Sequence, residues 1–182
     1  MLIVNKVTVI AEILTFFIAV LGLWFFYIKI RNQRKQIDLQ IKHKVDDRFN
    51  EAIKLLAASK SSARTGAIYV LYNLFIDDKD THDDGDTKYR RQIANILCSH
   101  IRAKTREQEY QINHADTPSN EIQTCINLMF KKEKKRKGIY SDYKLDVDRP
   151  DLRHSFLRGA NFTFANCQGA NFSDAKCQGA KF

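Results

Sequence analysis

The sequence predicts an α+β chain in three parts: an N-terminal transmembrane helix, a small all-α segment, and a C-terminal tail wound from short turns. Three patterns carry this reading. An apolar block fills roughly residues 1–30, amphipathic stripes follow from Gln36, and a five-residue period runs through the tail. The corresponding parts are 1–35 (anchor with a basic flank), 36–140 (helical domain) and 145–182 (repeats).

The anchor is Val7–Ile28, VTVIAEILTFFIAVLGLWFFYI, with one charge, Glu12. At about 1.5 Å of rise per residue, a helix of this length crosses the roughly 30 Å hydrocarbon layer. Trp24 and Tyr27 lie toward one end, as an interfacial aromatic belt does. Lys29, Arg31, Arg34 and Lys35 follow directly, against Lys6 and the amino terminus on the other flank. The positive-inside rule then directs the C-terminal bulk to the cytoplasm, as a single-pass protein. A cleaved signal peptide fits less well, because the block is too long and no small-x-small site follows it. Glu12 reads as an edge residue or a contact between copies rather than an ion path.

In the middle part Ile37, Ile41, Val45, Phe49, Ile53 and Leu56 form a helical stripe, predicting a helix from Gln36 to about Ala58. Ser59, Ser61 and Ser62 supply turn and cap chemistry. A second helix is expected on Ala67, Ile68, Val70, Leu71 and Leu74, ending before the acidic stretch Asp77–Asp86. A third covers about Lys88–Lys104 and a fourth about Asn120–Lys132, and the four pack as a bundle or stacked hairpins.

The chain carries a formal charge of +9, concentrated at Lys131, Lys132, Lys134, Lys135, Arg136 and Lys137 with Glu133 among them. A solvated helix end or loop is the plain reading of this run. The functional alternative is contact with anionic lipid or nucleic acid, with lipid favoured beside a membrane anchor. The acidic loop fails as a calcium site. With Gly85 as turn glycine, Asp80, His82, Asp84 and Asp86 fall at ligand-like steps, but Arg91 stands where a bidentate Glu is required.

Cys98, Cys125, Cys167 and Cys177 form no CxxC pair and no zinc spacing with the scattered histidines. Buried free thiols in a reducing compartment account for them. There is no GxxxxGK[ST], no GxGxxG and no nucleophile motif, so neither catalysis, a cofactor nor a metal is expected.

The period of five places Leu152, Leu157, Phe162, Cys167, Phe172, Cys177 and Phe182 in one register. Two residues before the last five of these stand Ala160, Ala165, Ala170, Ala175 and Ala180, with Pro150 and Ser155 in the first two units. A small and a larger apolar residue two apart face one interior, the mark of a solenoid whose layers bury their side chains against each other. These twelve leucine, alanine, phenylalanine and cysteine positions from Leu152 to Phe182 are the expected repeat core.

The units ANFTF, ANCQG and ANFSD match the motif A(D/N)LXX, and the sequence resembles the pentapeptide-repeat family. The resemblance implies a right-handed quadrilateral β-helix with four units per coil, hence under two coils here. It also implies structural roles for Asn161, Asn166 and Asn171. RFNEAIKLLAASKSSARTGAIYVLYNLF, Arg48 to Phe75, is similar to the helical segment preceding the repeats in membrane-anchored bacterial members. Arg64, Gly66, Ile68, Tyr69 and Leu71 match that segment; Thr65, Ala67 and Tyr72 depart from it. The implied location is the bacterial inner membrane.

The expected function is a cytoplasm-facing interaction module or scaffold with an unidentified protein partner. Self-association through the span or the open final coil is a further expectation. The array stops on Phe182, which favours a truncated, non-functional family member over a docking surface. Topoisomerase regulation by DNA mimicry, known among soluble members, requires an acidic coil. Here Arg149, Arg153, Arg158, Lys176 and Lys181 outnumber Asp148, Asp151 and Asp174, and no specific nucleic acid is expected.

Overall fold

A computed structural model describes residues 2–81, 88–133, 136–140 and 149–182, with side chains described at 14–76, 89–131, 138–140 and 149–182. His82, Asp84 and Asp86 of the acidic loop and the side chains of Asp80 and Glu12 lie outside that description. The chain divides into two compact units, Met1–Asp47 and Arg48–Phe182.

Helix α1 (Leu2–Leu56), which is 55 residues long, makes up the first unit, and its final turns, from Arg48, belong to the second. Among the described residues it is the one helix long and apolar enough to cross a membrane. Phe16, Phe17, Leu23, Trp24 and Phe25 are all exposed along it. A separate helix beginning at Gln36 does not form. Between Leu2 and Leu56 the sequence has one glycine, Gly22, and no proline, so nothing interrupts the backbone ladder. The expected stripe is exposed at its start, with Ile37 at 54% and Ile41 at 53%.

The second unit holds α2 (Ser61–Thr81), α3 (Lys88–Arg106), α4 (Gln108–Asn113) and α5 (Asn120–Phe130). Ile68, Leu71 and Phe75 of α2, Ile93, Leu97 and Ile101 of α3, and Ile122, Ile126 and Met129 of α5 are all fully buried. Alternating three- and four-residue steps put these side chains on one stripe of each helix, so the three stripes close over one another. Helix α5 begins where Ser119 accepts a hydrogen bond from the Ile122 amide at 3.3 Å. Helix α2 runs beyond its expected end into the acidic stretch. The short α4 is not foreshadowed by the sequence pattern; it has no side-chain cap, and its one buried residue, Tyr110, accepts a hydrogen bond from the Ser119 amide.

After α5 the chain forms a small antiparallel hairpin, β1 (Lys132–Glu133) and β2 (Arg136–Lys137), where a helix end or loop was expected. The returning strand explains the difference. Gly138, Ile139 and Tyr140 donate their amides to the carbonyls of Lys131, Leu128 and Met129, closing the α5 terminus. A Cβ on Gly138 would sit 2.8 Å from the Lys131 carbonyl oxygen, so the approach requires glycine.

The tail, 149–182, has no run of strand among its described residues; its pairing consists of isolated bridges. Asp151 pairs with Asn171, Phe156 with Lys176 and Asn161 with Lys181, each parallel and four five-residue units apart. A turn every five residues leaves only a short extended piece on each side, too short to form a continuous strand.

Candidate functional site: a repeat array capped by helices

Each five-residue unit closes with a turn. The amides of Ser155, Ala160, Ala165, Ala170, Ala175 and Ala180 donate to the carbonyls three residues earlier, at 2.8–3.3 Å. The residue before each donor has positive φ: His154, Gly159, Phe164, Gly169, Asp174 and Gly179. This is the type II pattern, in which glycine is unstrained and the other residue types are not. At Gly159 the need is absolute, because a Cβ would lie 1.9 Å from the Asp116 carbonyl oxygen. Where the residue before a central position is Asn or Asp, it braces its turn. Asn161, Asn166 and Asn171 accept from the amides of Thr163, Gln168 and Ser173 at 2.9–3.1 Å, and Asp151 accepts from Arg153.

Successive layers share backbone bonds. Leu152 donates to the Asn171 carbonyl, and Asn171 donates to the Pro150 carbonyl, each at 2.9 Å. The same exchange links Leu157 and Ser155 with Lys176, and Phe162 and Ala160 with Lys181. The residue before each central position therefore turns its N–H and C=O toward the preceding layer. In the first layer these residues are Asp151, Phe156, Asn161 and Asn166, and among the described residues no earlier layer precedes them.

The helices take that place. Arg102 of α3 donates to the Asp151 carbonyl at 2.6 Å. Thr105 of α3 accepts from the Phe156 amide at 3.1 Å. Gln123 of α5 accepts from the Asn161 amide and donates to the Asn161 carbonyl, both at 2.9 Å, so its side-chain amide reproduces a peptide group. The Phe130 carbonyl accepts from the Asn166 amide at 2.9 Å. Each of the four sides of the first layer thus receives at least one hydrogen bond from a helical group, in place of the bonds an earlier layer would supply.

A family model described as "Pentapeptide repeats (8 copies)" matches residues 148–182. The chain carries pentapeptide repeats. No curated protein and no solved structure matches it.

Within the pentapeptide-repeat segment the inward positions are graded in burial. Leu152, Leu157, Ala160 and Phe162 are buried, lying between the helices and the second layer. Ala165, Cys167, Ala170, Phe172, Ala175, Cys177 and Ala180 are half-buried. Phe182, expected inside, is 70% exposed; its ring stacks on Phe162 at 5.0 Å and 4°, and that ring meets Phe130 of α5 edge-on. Ser155 occupies an inward alanine position, and its buried hydroxyl has no hydrogen-bond partner among the described residues.

A second polar cluster joins the helices. Glu121, 1% exposed at the start of α5, accepts from Ser61 at 2.9 Å, from Arg64 at 2.8–3.0 Å and from His100 at 2.7 Å. Arg64 also donates to the Ala58 and Ser59 carbonyls, fixing the α1–α2 elbow. Burial pushes the Glu121 carboxyl up, but the hydrogen bonds from His100, Arg64 and Ser61 outweigh it and hold the group at about 2. Both carboxylate oxygens are committed, so the cluster is a closed structural node rather than a proton-transfer site. The sequence singles out Arg64 by its motif but not Glu121, whose surroundings form only when α2, α3 and α5 meet.

The thiols are not activated. Burial raises Cys98, Cys125 and Cys177, and it pushes Cys167 up to about 11. Among the described residues no three His, Cys, Asp or Glu groups gather as metal ligands.

Of the basic run, Lys131 pairs with Ala165 across the hairpin base, while Lys132, Arg136 and Lys137 lie on β1 and β2. Lys134 and Lys135 fall outside the described residues.

Proposed function

We propose that the chain is a membrane-anchored, non-catalytic scaffold whose cytoplasmic part binds a protein partner. Its repeats form a right-handed quadrilateral β-helix of under two coils, mounted on a helical platform. The coil reading is supported by a turn at every fifth residue and bridges four units apart. Anchoring in a bacterial inner membrane is supported by the apolar length of α1 and the basic flank Lys29–Lys35. DNA mimicry is disfavoured by the excess of cations on the coil.

The observation that carries the binding function is a shallow groove of about 410 Å³ between the end of α1 and α3. Ile53, Leu56, Ala57, Ile96 and Ala103 line it, and the ring of its one imidazole, His100, is bonded to Glu121. An open apolar groove of this kind suits side chains of a partner protein better than a reaction. A photo-crosslinking amino acid at Asn95, on the groove wall, should give one discrete adduct in native membranes, lost with Ile96→Glu. A folded, membrane-inserted protein that yields no adduct contradicts the reading.

A further inference from the structure

We propose that the groove between the end of α1 and α3 takes an amphipathic helix whose apolar ridge is flanked by acidic side chains. The inference rests on the partner-binding reading and deepens it by naming the partner's chemistry. Between Tyr89 and Arg106 helix α3 has five lysines and arginines and no acid. An unopposed charge of this kind favours an anionic neighbour. Part of it is engaged within the fold. Arg102 pairs with Asp151 at 2.8 Å, Lys104 pairs with Glu107, and Arg90 lies over the Phe75 ring. Arg106 is not engaged. It is exposed, one turn beyond Ala103 on the groove side of α3, and among the described residues its side chain makes no hydrogen bond or ion pair. Lys54 stands likewise on the other wall, exposed and unpaired among the described residues, one turn before Ala57. Glu51, the one acid between Arg48 and Leu56, falls on the opposite face of α1 from Ile53 and Leu56. The groove is therefore rimmed by a free cation on each wall.

The floor decides which kind of anionic partner fits. Ile53, Leu56 and Ile96 are half-buried at its base, set back behind the exposed Ala57, Asn95 and Ser99. A recessed apolar floor is filled by side chains that project into it, whereas a bilayer takes up residues that protrude. A nucleic acid would pair with the cations and leave the floor empty. All eight lining residues lie on α1, on α3 or in the turn after α1, so an extended peptide finds no strand edge to join. From Asn95 to Ala103 the α3 wall runs about 12 Å, a little over two turns of a docked helix. Apolar side chains one turn apart on that helix reach the floor, and Asp or Glu beside them meets Lys54 and Arg106.

The test uses the full chain in phosphatidylcholine nanodiscs, which present no anionic lipid, and two labelled, stapled helical peptides. Both carry leucines at i, i+4 and i+7; one flanks them with glutamates and its twin with lysines. Fluorescence anisotropy should show binding of the acidic peptide alone, weakened by added salt. Lys54→Glu with Arg106→Glu should lower that affinity by about tenfold or more and let the lysine twin bind, a gain that only a folded groove can give. Equal binding of the twins, no binding of either, or an acidic peptide indifferent to the double substitution overturns the proposal. Displacement of the acidic peptide by phosphatidylglycerol vesicles assigns the surface to lipid and overturns it too. The Asn95 adduct reads the parent proposal separately: an adduct that survives Lys54→Glu with Arg106→Glu leaves partner binding standing and overturns the acidic-helix chemistry.

Discussion

The helices and the repeats of the Arg48–Phe182 unit are held together by opposite strategies. In the helical half, non-repeating side chains interlock, and one carboxylate, Glu121, ties the α1–α2 elbow to α3 and α5. In the repeat half the turn recurs every five residues, supported in several units by an Asx brace and a backbone exchange between layers. The first strategy concentrates dependence in single residues. The second distributes it, so each unit matters according to how well it is covered. The two meet where Arg102, Thr105 and Gln123 stand in for a layer of coil.

The largest effect should come from the helical node. Glu121→Ala removes one partner of a buried ion network and leaves Arg64 and His100 at 12% and 11% exposure without it. A loss of about 3–5 kcal/mol is expected in urea unfolding. The pH dependence has a definite sign. The folded carboxyl sits at about 2 against an ordinary 4.5, so its contribution is complete above about pH 4.5 and fades as pH falls toward 2. Glu121→Gln should flatten that acid limb. An unchanged limb places the acid sensitivity elsewhere.

The next largest contrast lies inside the repeats. Phe162→Ala opens a cavity at a fully buried position and should cost about 3–5 kcal/mol. Phe172→Ala, in a half-buried position of the same motif, should cost less than half as much. Equal losses would mean that cover by the helices is not what distinguishes the two layers. The smallest effect should carry the opposite sign. Ser155→Ala restores the motif's alanine and removes a buried hydroxyl without a partner, which should stabilise the chain by about 1 kcal/mol. A destabilised Ser155→Ala would show that the hydroxyl has a partner after all.

Much of the repeat half was legible in the sequence because its determinants are local. The alanine and the larger apolar residue two places on recur at a fixed interval, and the family resemblance marked the asparagines before the central positions; the turn glycines were not singled out. The apolar stripes of α3 and α5 were equally readable. The fusion of the anchor with the following stripe into α1 depends on the absence of any helix breaker, a weaker signal than a motif. The cap was not legible. Thr105 and Gln123 are ordinary polar residues on amphipathic helices, and nothing in their spacing announces that their side chains meet Phe156 and Asn161 across the fold. The same holds for Glu121, whose three partners come from two other helices, α2 and α3.

The central claim is that the helices act as the layer preceding the first coil, and native-state hydrogen exchange at the Phe156 and Asn161 amides tests it most directly. Thr105→Val and Gln123→Ala together should leave α2, α3 and α5 protected while protection at both amides, and at Leu157 and Phe162 in the layer they brace, falls at least tenfold, about 1.4 kcal/mol of lost protection. Unchanged protection throughout the repeats in the double variant would show that the coil holds its own edge, and the account would be contradicted.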